Sequence, residues 1–170
     1  QVTLTDFGLV RSLENSAQLT QSGATLGTPA YMAPEQADPE RWGEITHLTD
    51  VYALGIILYQ MLLGRPPFEG ETAALLYAHV NTEPAVPLEM ISTLGDDLVA
   101  VLLKALAKAP AERYASAGAL VAALQTLVEQ RDQAQAHQTE LQDLLARAKT
   151  ARQKEDWPLV TQLCSQIIRL

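Results

Sequence analysis

The stretch that decides the fold is "TDVYALGIILYQMLLGRPPF", residues 49–68. From Val51 to Leu63 it is apolar on nearly every side and carries no charge, which is typical of a helix buried at the centre of a protein. Gly64 is suited to end this helix, because glycine readily adopts the left-handed C-cap conformation, and the two prolines that follow cannot continue it. Asp50 is predicted to cap the helix or to interact with its dipole.

Downstream of this segment the pattern stays helical. A second helix is predicted over residues 72–80, followed by an irregular stretch that holds Pro84 and Pro87. Asp96 is predicted to cap a third helix that Pro110 ends, and Ser116 to cap a fourth. The sequence therefore predicts a mainly α fold.

Bulk properties limit the possible functions. The chain has 170 residues with 48% hydrophobic and 19% charged residues, which is typical of one folded domain or of one domain with an appendage. A net charge of -8 argues against a nucleic-acid partner, because the field of the protein repels phosphate. No apolar run reaches the ~18 to 20 residues that a membrane span needs, and Cys164 has no second cysteine to pair with. We expect a cytoplasmic protein, whose parent chain is free to carry an anchor elsewhere.

The residues that precede the central helix hold the candidate chemistry. "QVTLTDF" (1–7) alternates apolar and polar residues and predicts a short strand that runs into a turn at Gly8. Residues 11–28 are rich in Ser, Thr, Gly and Gln and show no period, which predicts a long exposed loop. "DFG" (6–8) on its own is weak evidence, because an aspartate before such a turn is usually a turn former.

Three further blocks follow "DFG" in order: "GTPAYMAPEQ" (27–36), the apolar helix with "RPPF" (49–68) and "AERY" (111–114). With all four, residues 1 to about 128 resemble the carboxy-terminal lobe of a eukaryotic-type protein kinase, most closely that of the bacterial serine/threonine kinases. The resemblance implies a helical lobe with a short N-terminal strand and an activation segment over residues 6–35. It also implies ATP and Mg²⁺ as cofactors and a protein as substrate.

The resemblance assigns roles to individual residues. Asp6 matches the aspartate that holds Mg²⁺ against the ATP phosphates. Phe7 matches the ring whose packing differs between active and inactive states, and Gly8 permits the turn. Thr28 matches the threonine that lines the seat for the substrate residue after the acceptor and touches the catalytic aspartate, which favours serine/threonine over tyrosine specificity.

Further matches concern regulation and packing. Thr20 and Ser22 resemble the paired phosphoacceptors of bacterial relatives and Thr25 is a third candidate, since phosphate can order such a loop by pairing with arginine. Glu35 and Arg113 match an ion pair that ties the activation segment to the last helices of the lobe. In the family, the carboxylate at Asp50 receives backbone amides from the catalytic loop.

The carboxy-terminal region extends beyond the resemblance. Residues 129–153 predict a long helix or weak coiled-coil linker, and self-association through this helix is one expected role. Residues 154–170 predict an amphipathic helix that starts at Asp156 and Pro158. It resembles the first helix of a helical repeat. We expect its apolar face, which includes Cys164, to have no partner within the chain. The three histidines are isolated from cysteine and from each other, so we expect surface or packing roles for His47, His79 and His137.

The family's other catalytic motifs do not occur within these 170 residues: the glycine-rich loop, the strand lysine with its helix glutamate, and the His-Arg-Asp loop. Because the chain begins at Gln1, just before "DFG", we expect a fragment of a longer kinase that is inactive alone. An alternative is a non-catalytic, kinase-like interaction module. A third possibility is a lobe that still binds nucleotide weakly.

Overall fold

The computed structural model describes residues 28–170. This part of the chain is helical and contains no strand, as the sequence predicts, and two short 3₁₀ turns accompany the α-helices at Pro29–Tyr31 and Pro110–Glu112. The strand predicted before Gly8 lies outside the described residues. The helices are α1 (Pro34–Ala37), α2 (Pro39–Trp42), α3 (His47–Leu63), α4 (Thr72–Asn81), α5 (Leu88–Leu94), α6 (Asp96–Ala105), α7 (Ala117–Gln153) and α8 (Trp157–Arg169).

Helix α3 is the predicted central helix, but it begins earlier than Asp50. Thr46 caps it, since the Thr46 side chain accepts a hydrogen bond from the amide of Leu48 at 3.2 Å. The prediction of Asp50 as the cap is therefore wrong: it lies in the first turn and is exposed, where its charge still favours the helix dipole. Gly64 ends the helix at φ 78°, and its amide donates to the Gln60 carbonyl at 2.8 Å.

The core forms where α3 crosses α6. Its fully or almost fully buried residues are Ala33, Tyr52, Ile56, Tyr59, Leu102 and Leu106. Gly55 allows the two helices to approach closely, because a Cβ atom at this position would lie 2.9 Å from Leu106 Cδ2 and 3.1 Å from the Cβ of Ala105. Helix α3 thus supports both the segment around Ala33 and the later helices.

Two predictions between α4 and α6 need correction. The stretch expected to be irregular contains helix α5, which begins directly after Pro87; proline is compatible with a helix start because the first amides of a helix lack partners anyway. Gly95, rather than Asp96, is the N-cap of α6 and has a positive φ of 83°. Asp96 is the first residue of the helix, where a carboxylate favours the dipole.

Helix α7 runs for 37 residues without a break. Ser116 caps it as predicted, because its hydroxyl accepts from the amide of Ala119 at 3.1 Å. Further along, the Arg131 guanidinium donates to the carbonyl of Leu94, which holds α7 against the end of α5. The domain boundary predicted between residues 128 and 129 falls inside this helix and stays a prediction.

Helices α7 and α8 form a hairpin. Asp156 caps α8 by accepting from the amide of Leu159 at 3.2 Å. Leu163 of α8 is buried with Leu144 and Ala151 of α7, so the expectation that the apolar face of α8 is unmatched is wrong. Cys164 is exposed and lies beside that face. Within residues 28–170, no helix combines the length and apolar composition needed to cross a bilayer.

Candidate functional site

The turn at residues 28–31, called here the Thr28 turn, lies in the predicted activation segment. Thr28 is exposed and extended, and its carbonyl accepts from the amide of Tyr31 at 3.1 Å. Pro29 starts the 3₁₀ turn with its fixed φ. The hydroxyl of Tyr31 donates to Oε1 of Gln60 at 2.7 Å. The turn is therefore attached to α3 and presents Thr28 to solvent.

Glu35, in the first turn of α1, forms a buried ion pair with Arg113. Both side chains are completely inaccessible to solvent. Nη1 of Arg113 donates to Oε1 at 2.7 Å and Nη2 donates to Oε2 at 2.7 Å, so the contact is the parallel, bidentate kind that suits a planar guanidinium. The hydroxyl of Thr49 adds a bond to Oε1 at 2.8 Å. The structure thus brings together two residues that are 78 positions apart.

Arg113 uses all five of its N–H groups. Besides the two bonds to Glu35, it donates to three backbone carbonyls, those of Leu48 at 2.9 Å, Ala107 at 2.8 Å and Lys108 at 2.9 Å. Burial by itself raises the pKa of Glu35, but the bonds from Arg113 and Thr49 outweigh it and the pKa is lowered. The pair therefore fastens α1 to the start of α3 and to the segment that follows α6.

Lys108 lies buried next to this pair, three residues beyond the end of α6. Its Nζ donates to the carbonyl of His79 at 2.8 Å and lies 4.8 Å from the centre of the Phe68 ring. Burial lowers the pKa of Lys108 to about 8, against an opposing effect of Glu83 and with a further decrease from Arg113. Lys108 thus attaches the carboxy-terminal end of α4 to the core.

His79 of α4 is also completely buried. Its Nδ1 lies 3.0 Å from the hydroxyl of Tyr52 on α3. Burial, followed by the charge of Lys108, lowers the pKa of His79 to about 4, so the ring is neutral at pH 7. A packing role was among the alternatives expected for this histidine, but a lone histidine in a sequence carries no signal for such a contact.

Most of the remaining predicted site residues lie outside the described part of the chain: Asp6, Phe7, Gly8, Thr20, Ser22 and Thr25. Asp50 is described and exposed, and it does not join the cluster around Arg113. Among residues 28–170, no group of three or more His, Cys, Asp or Glu side chains is arranged to hold a metal ion.

Comparison with known proteins places these features in a family. The model of the protein kinase domain matches residues 1–124. A probable serine/threonine-protein kinase of Corynebacterium efficiens is 44% identical over 132 residues, which is 74% of this chain and 20% of the relative. The serine/threonine-protein kinases PknB of Mycobacterium leprae and Mycobacterium tuberculosis are 41% and 42% identical over 72% of this chain.

The chain spans about a fifth of the length of these curated relatives. Its match to the family, however, covers all four sequence blocks and both members of the buried ion pair. The chain belongs to the protein kinase domain family.

Proposed function

We propose that this chain is part of a serine/threonine protein kinase that transfers the γ-phosphate of ATP to serine or threonine in a protein substrate. The observation that carries the proposal is the bidentate Glu35–Arg113 pair. It anchors the end of the activation segment to the helical lobe and leaves Thr28 exposed next to the anchored turn. A segment held in this way can present a substrate in a fixed place while the residues before it change state.

The residue roles follow the family. Mg²⁺ supplies charge neutralisation at the ATP phosphates, and we assign Asp6 as its ligand with Phe7 and Gly8 shaping the turn. Thr28 contacts the substrate next to its acceptor residue. Carboxylate oxygen suits Mg²⁺, which prefers hard oxygen ligands.

Regulation is proposed to act on the activation segment. Phosphate on Thr20, Ser22 or Thr25 adds about -1.5 to -2 charges to that segment. Such a charge orders a loop when it meets an arginine. Mass spectrometry of the protein after incubation with Mg-ATP tests which of the three residues is modified.

The remaining assignments concern location and partners. We propose that the kinase domain acts in the cytoplasm, where ATP is available, and that the α7–α8 hairpin serves self-association or partner docking. The solvent-facing run of α7 from 128 to 140 supports this, since every residue in it is exposed. Sedimentation at several concentrations checks self-association, and a monomer throughout contradicts it.

The experiment for the activity compares three proteins. The full-length protein that carries this sequence is incubated with labelled ATP, Mg²⁺ and a generic basic protein, beside its Asp6→Asn variant and an Asp143→Asn control on the exposed face of α7. We expect Asp6→Asn to abolish transfer and the control to retain it. Transfer by Asp6→Asn at the normal rate contradicts the assignment.

The 170 residues by themselves contain neither a His-Arg-Asp loop nor a glycine-rich loop. Because catalytic groups that act as a unit fail together, we expect residues 1–170 to transfer no detectable phosphate in the same assay. Transfer by this chain alone shows that the other motifs are dispensable.

A further inference from the structure

The imidazole of His79 lies between the central helix and the Thr28 turn. On one side, Nδ1 faces the hydroxyl of Tyr52 at 3.0 Å. On the other, helix α4 packs against the Pro29–Tyr31 turn, and the backbone of Pro29 and Ala30 favours the protonated ring, as carbonyl oxygens do. Nε2 is buried, and within residues 28–170 it completes no hydrogen bond. The ring therefore has one nitrogen engaged with Tyr52 and one that is buried without a partner among the described residues.

The chemistry of the two side chains decides which nitrogen holds the proton. Burial raises the pKa of Tyr52, against the opposing charge of Arg113, so its hydroxyl stays protonated and can donate. If Tyr52 donates to Nδ1, that nitrogen is the acceptor and Nε2 carries the N–H of the neutral ring. An N–H at Nε2 is a donor that a backbone carbonyl can accept.

The ring has little freedom to leave this place. Phe68 packs edge-on against it, with ring centres 5.1 Å apart and an interplanar angle of 85°. Lys108 holds the backbone of His79, because its Nζ donates to the carbonyls of His79 and Ala78. Both contacts restrict movement of the imidazole.

We propose that His79 is a positioning residue for the substrate seat, donating from Nε2–H to the backbone of Pro29–Ala30 and so fixing the turn that carries Thr28. A buried donor without a partner is costly, and a tightening of the turn around a substrate removes that cost. His79 thus stabilises the substrate-bound form of the turn more than the free form. This inference rests on the proposed function, because it takes the turn as the place where substrate binds.

The kinetic test uses the full-length protein with two substitutions of similar volume. His79→Gln keeps an N–H donor at the position of Nε2, whereas His79→Leu removes it. We expect His79→Leu to raise KM for a serine peptide about three- to tenfold, the effect of one hydrogen bond, with kcat and KM for ATP unchanged. His79→Gln is expected to restore the peptide KM to within about twofold of the wild type.

A purely structural role predicts another pattern, because the apolar leucine fills a buried space at least as well as glutamine. Equal peptide KM values for the two variants therefore overturn the proposal. If His79→Leu does not fold, His79→Met takes its place, since the flexible methionine side chain fills irregular gaps.

A second readout does not depend on catalysis. The amides of Tyr31 and Met32 donate to the carbonyls of Thr28 and Pro29, so their hydrogen exchange reports the order of the turn. With a saturating serine peptide present, we expect faster exchange in His79→Leu than in His79→Gln, and equal rates under this condition overturn the positioning role. If the wild type transfers no phosphate, the proposed function fails, and the exchange rates alone decide the role of His79.

Discussion

Glu35 and Arg113 meet where water has no access, so each side chain depends on the other for its hydrogen bonds. Removal of one partner leaves a buried charge uncompensated, which typically costs about 3 to 5 kcal/mol. We expect Glu35→Ala to lower the free energy of unfolding by about that amount, as measured by urea denaturation.

Asp143→Ala is the matched control for this substitution. Asp143 also pairs with an arginine, Arg147, but at 3.5 Å and on an exposed helix face. Such pairs contribute only about 0.3 to 0.5 kcal/mol. A loss below about 1 kcal/mol in Glu35→Ala contradicts the importance of the buried pair.

His79 makes the stability of the lobe dependent on pH. Its pKa is about 4 in the folded protein, against 6.5 for the free side chain. Between these values the unfolded chain binds more protons, so stability is fully present above pH 6.5 and is lost as the pH falls toward 4. As the pH is lowered through this window, we expect the unfolding free energy of the wild type to fall more steeply than that of His79→Gln. The difference between the two slopes is expected to be about 1.4 kcal/mol per pH unit.

Urea denaturation at pH 7 and pH 5 measures this difference. Both proteins contain the same carboxylates, so the comparison with His79→Gln cancels their contribution to the pH dependence of stability. Glu35 is one of them, since its lowered pKa also makes acid destabilising. Parallel pH profiles of the two proteins contradict the burial of a neutral His79.

At the level of single residues, sequence reasoning succeeded where a resemblance named both members of a contact. Glu35 and Arg113 were expected to pair, and they do. Lys108 and His79 were not placed in the site, because burial next to Tyr52 and Phe68 arises from the packing of α4 on the core. The roles of Asp6 and the three candidate phosphoacceptors stay predictions.

Among the elements, the contact between α3 and α6 depends on the missing side chain of Gly55. Alanine at this position gains helix propensity of about 1 kcal/mol, but its Cβ would lie 3.1 Å from the Cβ of Ala105, which has no freedom to move aside. Overpacking of this kind typically costs about 1 to 3 kcal/mol. We expect Gly55→Ala to lower the melting temperature of the protein.

Gly118→Ala, near the start of α7, is the control for propensity alone. The nearest atom to a Cβ there is the hydroxyl oxygen of Ser116 at 3.6 Å, an ordinary contact. This substitution is expected to stabilise the protein by about 0.4 to 1 kcal/mol. The contact between α3 and α6 is looser than described if both alanine variants stabilise the protein equally.

The extents of the helices show what local pattern leaves undecided. The apolar run predicted α3, but its start depends on Thr46, whose hydroxyl offers the same kind of cap as the Asp50 carboxylate. Helix α5 was missed because two prolines suggested a break, whereas the second of them directly precedes the helix. A long apolar pattern in the sequence thus predicts a helix, whereas a short helix that depends on its neighbours leaves no such pattern.

In the whole molecule, the α7–α8 hairpin has an apolar cluster of its own, separate from the cluster at α3 and α6. Leu163 is its most buried residue, with 1% of its surface exposed. We expect Leu163→Ala to cost about 2 to 5 kcal/mol, confined to the hairpin. Hydrogen exchange then rises in α8 and stays slow in α3.

The converse substitution, Leu102→Ala in α6, is the control, since Leu102 is fully buried in the other cluster. It is expected to speed exchange in α3 and α6. A rise of exchange in α3 in response to Leu163→Ala shows instead that the hairpin and the lobe unfold as one unit.

The 78-residue separation between Glu35 and Arg113 also has a consequence for synthesis on the ribosome. At roughly 5 to 20 residues per second, about 4 to 16 s pass between the incorporation of the glutamate and that of its arginine. During that interval the carboxylate of Glu35 lacks its partner Arg113, so the ion pair that fastens α1 cannot form. In the nascent chain, the segment around Glu35 therefore lacks this attachment until the end of the lobe has been made.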